Sequence, residues 1–94
     1  MGSASHQREE VYYRGHVQGV GFRYTTQRIA KGFDVTGFVH NLSDGRVQLV
    51  VEAERGEINR FLKEIESQLG DFITDAKSAN LAPTGEFNRF SILH

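Results

Sequence analysis

The chain is organised around residues 15–23, which read Gly-His-Val-Gln-Gly-Val-Gly-Phe-Arg. Gly19 and Gly21 flank one small apolar residue, so the backbone there can adopt positive φ angles and present its N–H groups to a ligand. Arg23 follows at the predicted start of a helix, where the helix dipole is positive. Backbone donors and a guanidinium that converge on one point favour a phosphate or another oxyanion.

The segments on either side of this loop predict a strand and a helix. From Val11 to Val17 apolar or small residues alternate with Tyr12, Arg14 and His16, which is the period of a half-buried strand. Between Phe22 and Lys31 the apolar spacing changes to that of a short helix, and Gly32 is a plausible stop.

The rest of the chain predicts one hairpin, a second helix and two further strands. Residues 35–42 and 47–54 are strand-like and flank the turn signal Asp44-Gly45. An amphipathic helix follows, with apolar residues at helical spacing: Ile58, Phe61, Leu62, Ile65 and Leu69. Residues 73–81 form a weaker strand, residues 83–85 a turn and residues 90–92 a closing strand.

This order is β-α-β-β-α-β with one short extra strand. Two split βαβ units of this kind predict an α+β sandwich, in which one antiparallel sheet carries both helices on one face.

Length and composition indicate one small domain. The chain has 94 residues, a net charge of −1 and no cysteine, so disulfides and thiolate metal sites are excluded. The charge argues against a nucleic-acid partner, and no apolar run is long enough to cross a membrane. We expect residues 1–8 to be a flexible leader or a cloning remnant, and residues 9–94 to form the domain.

Two long motifs resemble the signatures of the acylphosphatase family. Residues 15–23 match the first signature at every fixed position, and residues 37–47, Gly-Phe-Val-His-Asn-x-x-x-Gly-x-Val, resemble the second. The similarity extends from about Val11 to the C-terminus. It differs at His40, where the family usually has Lys or Arg, and at Ala53, where a glycine is usual. Because neighbouring strand residues face opposite sides, we expect His40 to face away from Asn41.

The resemblance implies a ferredoxin-like α/β sandwich that hydrolyses acyl phosphates to a carboxylate and phosphate, with no metal or cofactor. It implies that Asn41 orients the attacking water and that Arg23 and the loop N–H groups bind the phosphate. The phosphate-binding residues expected on this basis are Gln18, Gly19, Val20, Gly21, Phe22 and Arg23. The expected ligands are a small acyl phosphate and, as product-like anions, phosphate or sulfate. We also expect a monomer in the cytoplasm, with broad specificity, since the sequence reveals no side-chain pocket for the acyl group.

Other interpretations remain open. The domain could be a non-catalytic module that binds phosphate or carbamoyl phosphate, or a ferredoxin-like fold used only for protein contacts. RNA-binding modules with the same strand order stack bases on aromatic side chains, and the candidates here are Tyr12, Tyr13, Tyr24 and Phe38. No RNP-like run of basic and aromatic residues accompanies them. His16 and His40 have no third ligand at metal-binding spacing. His16 could instead tune phosphate binding from the edge of the loop.

Overall fold

The computed structural model describes residues 6–94. The part of the predicted leader that covers residues 1–5 lies outside the described residues. Residues 6–8, which we assigned to the same leader, instead pair with residues 52–54 of a neighbouring strand. This start of the first strand is polar, so apolar alternation does not reveal it. The side chains of Gln7 and Glu9 accept hydrogen bonds from Arg55.

The predicted order of strands and helices is confirmed. The second helix begins directly after the third strand, at Arg55, and the first helix ends just before Lys31. The elements are β1 His6–Gly15, α1 Phe22–Ala30, β2 Thr36–Asn41, β3 Val47–Glu54, α2 Arg55–Leu69, β4 Ile73–Leu81 and β5 Phe90–Leu93, with a 3-10 turn at Gly70–Phe72.

The strands form one sheet in the order β4-β1-β3-β2-β5. The three inner strands pair antiparallel, and so does β4 with β1, whereas β5 runs parallel to β2. The α+β ferredoxin-like fold is confirmed, but the sheet is mixed rather than wholly antiparallel. The parallel pair arises because the chain crosses from β4 at one edge to β5 at the other before it re-enters the sheet.

Both helices pack on one face of the sheet and enclose a single core. Phe61 of α2 lies within it, with its ring centroid 5.8 Å from that of Phe33 and 5.5 Å from that of Phe90. Alternate residues of the strands complete this core, among them Val39 of β2 and Leu49 of β3. Within residues 6–94, neither helix has the length and apolar character that a membrane-spanning segment requires.

The opposite face of the sheet is partly covered by residues 82–89. The side chain of Glu52 in β3 is only 2% exposed. It accepts hydrogen bonds from the N–H groups of Thr84 and Gly85, at 2.9 and 3.0 Å, and from Arg8 at 3.1 Å. The buried carboxylate of Glu52 therefore holds residues 83–85 against the sheet. Sequence periodicity did not predict this contact because its partners are distant in the chain.

Candidate active site

The loop before α1 leaves the N-terminus of this helix without a side-chain cap. Gly19 and Gly21 have φ angles of 80° and 78°, a conformation that favours glycine. Gly21 is the N-cap residue, and the first turn of the helix contains no acidic side chain. The N–H of Thr25 donates to the carbonyl of Gly21 at 2.9 Å. The preceding N–H groups have no partner within the helix, so they can bind an anion where the dipole is positive.

Both ends of this loop are fixed to the rest of the fold. The N–H of His16 donates to the carbonyl of Phe72 at 2.8 Å. Val17 and Phe22 are buried, and the Phe22 ring centroid lies 5.3 Å from that of Tyr13. The loop therefore has apolar anchors on both sides of its exposed glycines, which holds its N–H groups in position.

Gln18 connects the loop to the β2–β3 hairpin. Its Nε2 donates to the carbonyl oxygens of Leu42 and Arg46, at 2.8 and 3.0 Å. The turn itself is tightened by Asp44, whose carboxylate accepts from the N–H and guanidinium of Arg46. The Arg46 N–H is the largest cause that lowers the pKa of Asp44 below its ordinary value. The side chain of Gln18 thus binds protein backbone beside Asn41.

Arg23 projects from the first turn of α1 toward the C-terminal strand. Its Nη1 lies 3.5 Å from the carbonyl oxygen of Leu93, a long and weak contact. No carboxylate within residues 6–94 lies at ion-pair distance from this guanidinium. The charge of Arg23 is therefore free of any described acidic partner and can act on a bound anion.

Asn41 ends β2 with a buried oxygen that lacks a partner. Its Oδ1 accepts no hydrogen bond from the described residues, although buried polar atoms are nearly always paired. The Nδ1 of His40, the preceding residue of β2, is 3.3 Å from the carbonyl oxygen of Leu93, the same oxygen that Arg23 contacts. His40 and Asn41 both line a depression beside the hairpin turn. His16 is exposed at the start of the loop.

One cavity of about 480 Å³ brings the main candidate residues together. Arg23 and Asn41 both line it, although they are 18 positions apart in the sequence. Among the predicted phosphate-binding residues, Gly19, Gly21 and Phe22 also line it, whereas Gln18 lines a neighbouring depression and Val20 packs against the core. The full lining is Val17, Gly19, Gly21, Phe22, Arg23, Tyr24, Gln27, Asn41, Ile92 and His94.

Five of the lining residues were not predicted as site residues from the sequence, namely Val17, Tyr24, Gln27, Ile92 and His94. Tyr24 and Gln27 lie on α1, and Ile92 comes from β5. Gln27 is one helical turn after Arg23, a spacing that places both on one face and could have indicated it. Ile92 enters the site through the parallel pairing of β5 with β2, which no local pattern predicts.

The titratable residues of the described chain offer no arrangement typical of a metal centre. Within residues 6–94, no group of three or more His, Cys, Asp or Glu side chains is placed to hold a metal ion. The polar groups at the cavity include the N–H groups of the loop, the Arg23 guanidinium, the amides of Gln27 and Asn41, and His94. Such donors bind oxyanions rather than cations.

Comparison with known proteins identifies a family. A family model described as Acylphosphatase matches residues 9–92. The acylphosphatase of Archaeoglobus fulgidus is 45% identical over 58 residues, which are 62% of this chain and 65% of that protein. The acylphosphatase of Lactobacillus gasseri is 35% identical over 82 residues, which are 85% of this chain and 90% of that protein. The alignment therefore spans under two thirds of the first relative and nearly all of the second.

The fold agrees with that of a solved relative. The crystal structure of acylphosphatase from Bacillus subtilis superposes with a TM-score of 0.83 and is 28% identical in sequence. The superposition covers 94% of this chain and 99% of that chain. The likeness thus extends over the whole domain and includes the elements that surround the cavity.

Proposed function

Because the chain belongs to the acylphosphatase family, we propose that it hydrolyses acyl phosphates to a carboxylate and inorganic phosphate. The observation that carries this proposal is the cavity that the N-terminus of α1, Arg23 and Asn41 line together, with an Asn41 Oδ1 that has no partner among the described residues. A positive anion site beside an amide suits the transfer of a phosphoryl group to water.

The phosphate is bound by the loop and by the first turn of α1. Residues 18–22 contribute through their backbone, since the side chain of Gln18 already donates to Leu42 and Arg46. Arg23 adds a planar fork that can bond two phosphoryl oxygens at once. Charge-assisted hydrogen bonds of this kind contribute about 1.5 to 3 kcal/mol each. Inorganic phosphate and sulfate bind at the same position as product-like anions.

Asn41 orients the attacking water. Its Oδ1 accepts a hydrogen bond from the water, and its NH₂ group can donate to the phosphoryl group. The water oxygen then bonds to phosphorus, while the bond from phosphorus to the bridging oxygen breaks and the carboxylate leaves with that electron pair. The leaving carboxylate has a pKa of roughly 4 to 5 as the free acid, so it needs no proton at neutral pH. The proton of the water passes to a phosphate oxygen.

We also propose that the reaction needs no metal or cofactor, because Arg23 and the N–H donors supply the positive charge that phosphoryl transfer requires.

We propose a monomer in the cytoplasm, since the loop, Arg23 and Asn41 all come from one chain and the composition lacks cysteine. The net charge of −1 gives no overall attraction to nucleic acids or anionic membranes, which we propose are not partners.

The test is hydrolysis of benzoyl phosphate in excess EDTA by the wild type and by Asn41→Ala. We expect rapid turnover by the wild type and a fall in kcat of about 10²-fold in the variant, because the water loses its guide. The affinity for inorganic phosphate should change little, since the anion site is intact. Asn88→Ala is the matched control, because Asn88 is exposed in the segment 82–89.

Each remaining outcome points to a different function. Wild-type turnover that Asn41→Ala leaves unchanged would show that Asn41 does not position the water. Phosphate binding without any wild-type turnover would favour the non-catalytic binding module. Neither binding nor turnover would leave a fold used for protein contacts.

A further inference from the structure

The cavity extends beyond the part that a phosphate would occupy. Its volume of about 480 Å³ is within the range of about 300 to 1,000 Å³ found for small-molecule sites, and a phosphate ion fills only part of it. The phosphate end is defined by the loop and Arg23. Tyr24, Gln27, Ile92 and His94 also line the cavity, and the proposed chemistry does not use any of them.

The geometry of α1 shows in which direction the part of the cavity beyond the phosphate extends. Gln27 lies one turn after Arg23 on the same helix face, about 6 Å farther along the axis. Tyr24 lies three positions before Gln27 and lines the same cavity. This wall therefore leads away from the helix N-terminus, where the phosphate binds. The acyl group is joined to the phosphate through one bridging oxygen, so it must occupy neighbouring space of this kind.

The residues of this wall suit an apolar group with a flat face. Tyr24 is 77% exposed, the largest exposure among the large hydrophobic residues of the described chain. An exposed aromatic ring beside a cavity can stack on a planar ligand with little loss of side-chain freedom. Ile92 adds apolar surface, and Gln27 is uncharged. Apart from Arg23 and His94, no Lys, Arg, His, Asp or Glu side chain is part of the described lining.

We propose that Tyr24 and Ile92 form a subsite that prefers planar, apolar acyl groups, above all aromatic ones, over small aliphatic groups. This inference rests on the proposed function, because it assigns the acyl side of the same cavity. It replaces the expectation of unselective binding with a specificity determinant, Tyr24, which lies next to Arg23 in the chain.

The test compares kcat/KM for benzoyl phosphate and acetyl phosphate in the wild type, Tyr24→Ser and Tyr24→Phe. For each protein, kcat/KM for benzoyl phosphate is divided by kcat/KM for acetyl phosphate, and this ratio is compared with that of the wild type. The comparison cancels the different intrinsic reactivities of the two substrates. We expect this ratio to fall roughly three- to tenfold in Tyr24→Ser, the value of one aromatic contact, and to be retained in Tyr24→Phe. Leu81→Ser is the matched control, because it removes an exposed apolar side chain from β4, outside the cavity lining.

The outcomes separate this inference from the proposed function. If the wild type hydrolyses both substrates and the ratio is the same in Tyr24→Ser, the subsite is wrong while the acylphosphatase activity stands. If the ratio falls equally in Leu81→Ser, the effect is not local and the subsite is again wrong. If the wild type hydrolyses neither substrate, the proposed function itself fails. The melting temperature of each variant verifies that the fold is intact.

Discussion

Arg23 has a position in the site that a lysine cannot reproduce. Its guanidinium lines the cavity at the first turn of α1, without a described acidic partner. Arg23→Lys keeps the charge but replaces a bidentate fork by a point charge. We expect kcat for benzoyl phosphate to fall by about 10²-fold, as measured by released phosphate. Arg28→Lys, an exposed change on the same helix, should retain full activity; an equal loss in both variants would contradict a specific role for Arg23.

Gln18 offers a second prediction at this scale. Gln18→Ala removes two hydrogen bonds that join the phosphate loop to the β2–β3 hairpin, next to Asn41 at the end of β2. We expect the free energy of unfolding to fall by about 1 to 3 kcal/mol in urea denaturation, and kcat to fall as well, because the loop and Asn41 lose their common support. Gln48→Ala is the matched control, since the part-buried amide of Gln48 also donates a hydrogen bond, to the Glu10 carboxylate at 2.8 Å. If both variants lose stability alike and neither loses kcat, Gln18 has only a structural role.

The residues differ in how far the sequence could predict them. Arg23 and Asn41 stand in long motifs, so their convergence could be expected and they do line one cavity. Gln18 stands in the same motif, but a motif does not reveal that its side chain binds the hairpin backbone. Tyr24 has the character of an ordinary exposed helix residue until the cavity beside it is known. Spacing along one element predicts a helix face, whereas contacts between elements require the packed fold.

The segment 82–89 is the element whose attachment depends on one carboxylate. Burial raises the pKa of Glu52, but the N–H groups of Thr84 and Gly85 and the guanidinium of Arg8 more than offset it, so this pKa is below its ordinary value of 4.5. A depressed pKa contributes stability that is present above the unfolded pKa and is lost as the pH falls through the folded pKa. This contribution should therefore be complete at neutral pH, begin to be lost below about pH 4.5 and disappear as the pH falls through the lower pKa of the folded state.

Glu52→Gln tests this dependence. We expect it to lower the free energy of unfolding by about 1.5 to 3 kcal/mol at pH 7, because charge-assisted hydrogen bonds are lost. Urea denaturation at several pH values should show the wild-type and variant curves approaching each other below about pH 4.5. Glu54→Gln, two residues along the same strand and exposed, is the control. A constant gap between wild type and Glu52→Gln at every pH would contradict the role of the charge.

At the scale of elements, the periodicity of apolar residues predicted the strands and helices. It did not predict contacts between segments that are distant in the chain. The core face of β3 and the apolar stripe of α2 are plain in the sequence and confirmed in the structure. Val50 and Glu52 occupy the other face of β3 and are buried as well, because residues 82–89 cross it. The same crossing places β5 parallel to β2, which brings Ile92 into the cavity. Neither result has a signal in local sequence.

For the whole molecule, the site is supported by the common core. Val17 and Phe22 at the loop, Val39 beside Asn41 and Ile92 of β5 all belong to or pack against one hydrophobic cluster. The phosphate loop, the amide and the proposed acyl subsite therefore share one rigid support rather than separate loops. Such a site should bind an anion without reorganisation, so the binding free energy adds directly to the stability of the folded chain.

This coupling predicts that inorganic phosphate raises the melting temperature. At a free concentration ten times Kd, binding stabilises the folded state by about 1.4 kcal/mol, which raises Tm by roughly 6 to 11 °C in a domain of this size. Differential scanning fluorimetry over a phosphate series, at constant ionic strength set by chloride, would measure the shift. Arg23→Ala should require a much higher phosphate concentration, whereas the control Arg28→Ala should follow the wild type. Equal shifts in both variants would contradict this prediction. They would mean either that phosphate acts as a general salt or that it binds away from the N-terminus of α1.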